Sequence, residues 1–259
     1  MKKEILTIIT FFVFTLPIFA QIDSINTKNN KLKFDQLKEA TNTYLLYFQD
    51  SINSPKRDME IWERRIIKSQ LNDRNVYQLN WDRSFSNGSR GFKYQILAES
   101  KDFSPISEEI EMKYLIGDSL KIMKRRFVYD GNSMHTEPIN NKPDESPFKI
   151  DNLNNSFNFE MDMETFSMLP LESGKIFAIN FYHPGSKTPP QYYTYTVEKS
   201  EIIKFNEVNH DCWVLKVIYP NHGYSEFWIS KETHVTIKMR EIYDGILRYK
   251  ILLALSDSL

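Results

Sequence analysis

The sequence predicts a mainly β protein built from antiparallel strands. Apolar and polar residues alternate over many short segments, which is the pattern of strands with one buried face. Phe, Tyr and Trp favour strands, and they make up 14% of the 259 residues. Turn sequences separate the segments at short spacing, as in a meander of neighbouring strands. Few segments have the period of an amphipathic helix, so only a few short helices are expected.

The predicted strands follow one another from residue 43 to the end of the chain. Two short sequences, Gly117-Asp118 and Asp244-Gly245, predict tight hairpin turns. The second is the stronger signal, because both central positions of such a turn favour a positive φ. The strand segments are 43–49, 58–68, 75–83, 92–96, 112–116, 120–129, 175–183, 192–204, 213–219, 224–229, 235–243 and 247–253.

Residues 131–174 interrupt this pattern. Four prolines, Pro138, Pro143, Pro147 and Pro170, fall among Asn and Asp residues. The segment is predicted to be a long connection within the domain. It is expected to carry short strands or a helical turn at 160–168.

The first twenty residues predict a cleavable signal peptide. Lys2 and Lys3 precede an uncharged apolar run at 5–16, Pro17 breaks it, and Ala20 supplies the small residue before the cleavage point. A retained anchor is the alternative, but a spanning helix needs about 20 apolar residues. No cysteine follows the run, so no lipoprotein attachment is expected. The mature protein is predicted to be soluble, not membrane-spanning, and located in the periplasm or outer envelope.

The organisation predicted for the mature chain is simple. Residues 21–42 form a polar lead-in, and residues 43–259 form a single antiparallel β domain. Cys212 is the only cysteine, so no internal disulfide is possible. Its place in an apolar run predicts a small buried side chain rather than a reactive thiol.

No sequence motif indicates an enzyme, a metal site or a cofactor. The formal net charge is −1, without the clustered basic residues that nucleic acid requires. The five histidines lack zinc-site spacing, and no GxSxG nucleophile motif is present. A hydrolase that draws its acids from separate strands stays open, because its carboxylates are recognised by their separation in space.

Large aromatic residues on the predicted strands are the candidates for ligand contact. Packing in the core is the first interpretation, and lining a lipid or glycan pocket is the alternative. Trp213 is expected to be buried on the concave face, but sequence cannot fix the register that decides whether it meets Trp228. The candidates are Trp62, Trp81, Tyr193, Tyr195, Trp213 and Trp228.

Residues 168–253 resemble an exported bacterial family of unknown function. The resemblance rests on Leu169-Pro170-Leu171, the Ser173-Gly174 turn, Cys212-Trp213-Val214-Leu215, Phe227-Trp228-Ile229 and the basic strand 234–240. The Trp-Ile, turn and strand element is similar to that of LolA-like periplasmic lipoprotein carriers. The signal ending and the Asn- and Lys-rich body resemble Bacteroidota export. The resemblance implies a strongly curved sheet, a half-barrel or spiral β-roll, around an apolar interior.

That implied fold leads to a functional hypothesis. In LolA-like carriers the interior holds acyl chains under helices, whereas few amphipathic helices are predicted here. The expected function is non-enzymatic binding of a lipid, a lipoprotein acyl chain or another apolar ligand on the concave face. The alternatives are a ligand-free scaffold that binds an envelope protein partner, and a hydrolase with acids from separate strands.

Overall fold

The computed structural model describes residues 21–117, 119–140 and 146–255. The predicted signal peptide lies outside these residues. Sixteen strands and one α-helix are described. The helix α1 is Asp162–Ser167. The strands are β1 Ile22–Ile25, β2 Ala40–Gln49, β3 Arg57–Leu71, β4 Arg74–Phe85, β5 Arg90–Glu99, β6 Pro105–Ile116, β7 Ser119–Asp130, β8 Ser133–Glu137, β9 Lys149–Asp151, β10 Phe157–Asn158, β11 Ile176–Tyr182, β12 Gln191–Phe205, β13 Val208–Tyr219, β14 Gly223–Ser230, β15 Thr236–Tyr243 and β16 Ile246–Leu255.

The strands form one strongly curved sheet. Their order is β1-β11-β12-β13-β14-β15-β16-β2-β3-β4-β5-β6-β7-β8-β9, with β10 paired to β11 off this path. Neighbours are antiparallel except that β1 and β10 run parallel to β11. The fold class predicted from the alternation is therefore confirmed. No described helix is long and apolar enough to cross a bilayer.

Residues 22–25, which the sequence assigns to a polar lead-in, form β1. Ile22 to Ile25 pair with residues 176–179 of β11, and Ile25 is buried. A four-residue strand carries too little periodicity to be recognised, and it forms because β11 offers an unpaired edge.

Several local predictions are confirmed. Gly117 lies in the turn between β6 and β7, and Asp244-Gly245 joins β15 to β16 with φ of 50° and 80°. The helical turn expected near 160–168 is a 3-10 turn followed by α1. Cys212 is fully buried.

The alternating direction of the strands places the connections at two ends of the sheet. The end called the mouth rim carries the connections 50–56, 86–89, 183–190, 220–222 and 244–245, together with the turn at Gly117. The end called the far rim carries the connections 72–73, 100–104, 131–132, 206–207 and 231–235.

The far rim is covered by the N-terminal part of the chain. Leu32 and Leu37 are buried in the main core, and Phe34 packs against it. The Lys33 amide donates to the Met168 carbonyl (2.8 Å), which ties this segment to the end of α1. The interior is therefore covered at the far rim.

The helix α1 lies against the concave face and fills part of it. Phe166 is completely buried and contacts Phe227, Tyr195 and Phe181 at ring-centroid distances of 4.9, 5.0 and 6.3 Å. The face that carries Phe227 is therefore the interior. Residues that pair directly across two strands lie on the same face of the sheet. The inward-facing residues of every other strand can therefore be identified by following the pairing from Phe227.

One segment bridges the two edges of the sheet. The Leu153 amide donates to the Asn132 carbonyl (2.9 Å) beside β8, and the Asn155 carbonyl accepts from the Thr27 amide (2.9 Å) beside β1. Asn154 and Asn155 adopt φ of 53° and 56°, which asparagine tolerates. Residues 152–158 therefore span a gap that the described strands do not close.

The two C-terminal tryptophans lie on opposite faces. The register pairs Trp213 with Ile229 and Val214 with Trp228. Trp213 was expected to be buried, but it is only half-buried under Lys231, whose Nζ lies 4.1 Å from its ring. Trp228 lies on the convex face and is 5% exposed, because Lys238 covers it. The pattern along one strand could not show that Lys231, from a connection, and Lys238, from β15, lie over these two rings.

This difference in burial gives the first testable prediction. We expect Trp228→Ala to lower the free energy of unfolding by about 3–5 kcal/mol, the usual effect of truncating a buried tryptophan. Trp213→Ala should lower it by about 1–2 kcal/mol, because part of its ring is already in water. Denaturant melts of both variants measure the difference. An equal loss in both would contradict this burial assignment.

Candidate functional site

The concave face over β3 to β7 carries a row of aromatic and aliphatic side chains. Arg64 reaches α1 from this face, and the register places Trp62 opposite Arg83 and Trp81 opposite both Arg64 and Tyr94. Trp62 and Trp81 are in edge contact at 4.7 Å, and Trp81 stacks on Tyr94 at 4.5 Å.

Beyond Tyr94 the row is only partly covered. Inward-facing residues of β5, β6 and β7 remain half-buried, although they point to the interior. An inward apolar surface that is not filled by other side chains can contact a ligand. These residues, called the concave row, are Phe92, Tyr94, Ile110, Met112, Tyr114 and Met123.

A second candidate site is a cleft at the mouth rim, lined by residues of β12, β13, β15 and β16. It encloses about 790 Å³, and its aromatic lining includes Phe159, His183, Tyr193, Tyr219 and Tyr243. Phe159 stacks on His183 at 3.9 Å and meets Tyr193 edge-on at 5.2 Å. Burial raises the pKa of Tyr219 to about 12, so its phenol is neutral at physiological pH. This site is called the tyrosine cleft.

Two charged residues give the tyrosine cleft a polar wall. Arg248 Nη2 donates to Glu241 Oε2 (2.9 Å), and that oxygen also accepts from Ser225 Oγ (2.7 Å). Arg248 Nε is buried and has no hydrogen-bond partner within the described residues. A buried N–H donor without a partner is costly, so a bound acceptor group would stabilise it.

Carboxyl groups lie in the interior of the curved sheet, near the concave row. Glu108 is 1% exposed, and its Oε2 accepts from Asn158 Nδ2 (2.6 Å). Burial and then the neighbouring Glu160 raise the pKa of Glu108 to about 8. Burial and then Asp162 also raise the pKa of Glu160. Glu108 therefore carries a proton over most of the range below neutral pH.

Lys250 adds a cation to the same interior. Its Nζ lies 4.4 Å from the centre of the Trp62 ring, and burial lowers its pKa to about 8. No group of three or more potential metal ligands is found within the part of the chain that the structure describes.

The raised pKa of Glu108 predicts a pH dependence of stability. The folded protein keeps a proton that the unfolded chain releases near the ordinary value of 4.5, so this contribution to stability falls as pH rises from 4.5 to about 8. We expect Glu108→Gln to be more stable than the native chain at pH 9 by up to about 5 kcal/mol, at about 1.4 kcal/mol per pKa unit.

Urea melts at pH 5 and pH 9 measure this effect. Glu109→Gln is the matched control, because Glu109 points to the convex face beside Arg126. The free energy of unfolding of Glu109→Gln should change between pH 5 and pH 9 by the same amount as that of the native protein. If the stability of Glu108→Gln also changed with pH as that of the native protein does, the raised pKa assigned to Glu108 would be wrong.

The six candidates from the sequence fall into three groups. Trp62 and Trp81 lie on the concave face next to the concave row, and Tyr193 lines the tyrosine cleft. Tyr195 is buried in the core against Phe166, whereas Trp213 and Trp228 lie apart from both sites. The structure thus brings Trp62 and Trp81 together and separates the C-terminal pair.

Sequence reasoning missed the charged residues of the interior. Arg248, Glu241 and Lys250 alternate with apolar residues as solvent-facing residues would, but they point inward. Their signal in the sequence was weak. In β16 the inward face carries Arg248 and Lys250, and the outward face carries Tyr249 and Ile251, so a reading of apolar residues as inward inverts the strand.

These features define a class of protein, namely the large, strongly curved, barrel-like β sheets. The chain is similar to the crystal structure of a β-barrel-like protein of domain of unknown function DUF1849 from Brucella abortus. The TM-score is 0.55 at 9% sequence identity, over 87% of this chain and 98% of that chain. The chain belongs to a protein family of unknown function, DUF3108, whose sequence profile matches residues 43–251. No curated protein matches it.

Membership in a family of unknown function agrees with the sequence-based expectation. At 9% identity the likeness to the DUF1849 protein shows the fold alone. The mainly β, curved-sheet prediction is confirmed by this likeness and by the topology.

Proposed function

We propose that the protein is an exported, non-enzymatic binding protein that holds an amphipathic molecule inside its curved sheet. The ligand is a lipid or a lipoprotein acyl chain, with an apolar part and an anionic or other acceptor group. The signal-like residues 1–20 support export to the periplasm or outer envelope. The similarity of the Trp-Ile, turn and strand element to LolA-like carriers supports an acyl ligand.

One observation carries this proposal. The concave row points to the interior and yet stays half-buried, because α1 fills only the part of the interior near Phe166. A filled interior would bury these side chains, as it does Leu79 and Ile96 on the same face. The row therefore offers an apolar surface that a ligand can cover.

The tyrosine cleft supports a ligand that is polar at one end. Its volume of about 790 Å³ falls in the range of small-molecule sites, roughly 300–1,000 Å³. The Arg248 guanidinium offers a buried donor for a carboxylate or phosphate oxygen. These features favour ligand binding over a ligand-free scaffold, which needs no such space.

A hydrolase is the less favoured reading of the same interior. Burial raises the pKa of both Glu108 and Glu160, and the charge of Glu160 raises that of Glu108 further, as in a pair of catalytic acids. Glu108 is only 1% exposed, however, and its Oε2 already accepts a hydrogen bond from Asn158 Nδ2. A substrate has no direct access to this carboxyl group.

The binding proposal is tested with the mature protein and a fluorescent fatty acid. Met112→Asp places a charge on the concave row, and we expect it to raise Kd at least about tenfold, since losing the burial of one such side chain costs about 1.5–3 kcal/mol. Native mass spectrometry of protein purified from its host should reveal bound lipid.

The control is Ile61→Asp, because Ile61 is exposed on the convex face of β3. Its Kd should stay close to the native value. Protein that is free of lipid and takes up no fatty acid, or equal losses in both variants, would contradict the proposal.

A further inference from the structure

We propose that the mouth rim docks on an anionic phospholipid surface through the tip of the β6–β7 hairpin. This inference goes beyond ligand binding. It rests on the proposed function, because docking would bring the open interior of a lipid-binding protein to a membrane. It is carried by the exposure of the hairpin tip, by its lysines and by its place on the rim.

The hairpin tip stands clear of the rest of the sheet. On one side, β5 begins at Arg90, opposite Tyr114. On the other side, β8 pairs with β7 only from Arg126 onward. Residues 116, 117 and 119–124 therefore pair with no strand outside the hairpin among the described residues.

Four large aliphatic side chains occupy this tip, and each is more than half exposed. Leu115, Ile116, Leu120 and Ile122 are 51%, 64%, 62% and 51% exposed. Leu115 lies directly opposite Leu120, so these two form one apolar face. Adjacent exposed aliphatic residues on a projecting hairpin are typical of a surface that another apolar phase covers.

A collar of lysines surrounds the apolar tip. Lys113 and Lys124 share the single carboxylate Glu111, at 3.2 and 2.7 Å. Lys121 has no ion pair within the described part of the chain. The three lysines outnumber this one carboxylate, so the collar has an excess of positive charge that complements anionic lipid headgroups.

Other exposed apolar residues lie along the same rim. Ile52 in the 50–56 connection is 70% exposed, and Tyr243 and Ile246 flank the 244–245 turn with 43% and 41% exposure. The tyrosine cleft opens at this rim, since Pro220, His222 and Tyr243 belong to its lining. A bilayer that contacts the hairpin tip therefore lies beside the entrance to the interior.

A lipid surface fits these features better than a protein groove does. The exposed apolar residues are aliphatic except for Tyr243, they lie at several points along one rim, and lysines flank those of the hairpin tip. Apolar side chains that enter the headgroup region, with lysines at the phosphate level, follow the same arrangement as interfacial membrane anchors.

The test is co-sedimentation of the mature protein with vesicles made of equal parts of phosphatidylethanolamine and phosphatidylglycerol. We expect the double variant Leu115→Glu/Leu120→Glu to lower the partition coefficient at least about tenfold. Lys121→Glu should lower it by a smaller factor, and high salt should remove that difference. Vesicles without phosphatidylglycerol should bind the native protein less.

The matched control is Ile202→Glu/Val208→Glu. These residues are 67% and 56% exposed on the β12–β13 hairpin, which lies at the far rim. This control should bind vesicles like the native protein. Thermal melts of all variants should match, because the changed side chains are mostly in water.

Two results would overturn the docking proposal. One is a native protein that does not bind these vesicles, including the case in which the hairpin tip binds a protein partner instead. The other is an equal loss in the far-rim control. The ligand proposal is tested separately from the docking proposal. Met112→Asp should bind vesicles like the native protein but bind the fatty acid more weakly, whereas Leu115→Glu/Leu120→Glu should bind the fatty acid normally but bind vesicles more weakly.

Discussion

We expect Arg64→Met to destabilise the protein by about 3–5 kcal/mol, because it leaves a carboxylate buried without its partner. Arg64 is 3% exposed, and its guanidinium donates to both Glu164 oxygens, at 3.1 Å from Nε and 2.6 Å from Nη2. Nη2 also donates to the Glu160 carbonyl (2.7 Å), so this side chain joins β3 to the start of α1.

The matched control is Arg65→Met. Arg65 is the next residue of β3, points to the convex face and is exposed, so its loss should change the free energy of unfolding by no more than about 0.5 kcal/mol. Urea melts compare the two. The double variant Arg64→Met/Glu164→Leu should recover most of the loss, since it removes both buried charges. Equal stability of the two single variants would show that the pair does not hold α1.

The second large effect is expected for Phe166→Ala. Phe166 of α1 is completely buried, and its three ring contacts lie on three strands, β11, β12 and β14. Removing the ring leaves a cavity that the surrounding strands cannot fill, and truncation of a buried phenylalanine costs about 3–5 kcal/mol.

Phe92→Ala is the control for this prediction. Phe92 also points inward and contacts Phe85 and Tyr114, but it belongs to the half-buried concave row. Its truncation should cost less than half as much, since part of its surface is already exposed to water. If denaturant melts showed the larger loss for Phe92→Ala, the division into a filled and an open part of the interior would be wrong.

The interior as a whole combines two kinds of surface. Around α1 it is packed like any protein core, with Phe166, Phe181 and Tyr195 in mutual contact. Toward the mouth rim it is lined by aromatic, aliphatic and charged side chains that no other element covers. The proposed ligand and the proposed membrane contact both depend on this second part.

Local sequence determined most of the strands and their turns. Alternation and aromatic content predicted the β class, and Asp244-Gly245 predicted its hairpin because the backbone requirement of that turn is local. The helical turn near residue 160 was also recognisable. These features depend on residues that are close in the chain, so a single sequence contains the information.

Tertiary structure alone decided which face is inside and what occupies it. Arg248 and Lys250 point inward because the register of β15, β16 and β2 is set by pairing over the whole sheet, and a shift of one residue would turn them outward. The register between β13 and β14 also decides that Trp213 and Trp228 lie on opposite faces of the sheet. The lead-in strand β1 exists only because β11, about 150 residues away, offers an edge to pair with.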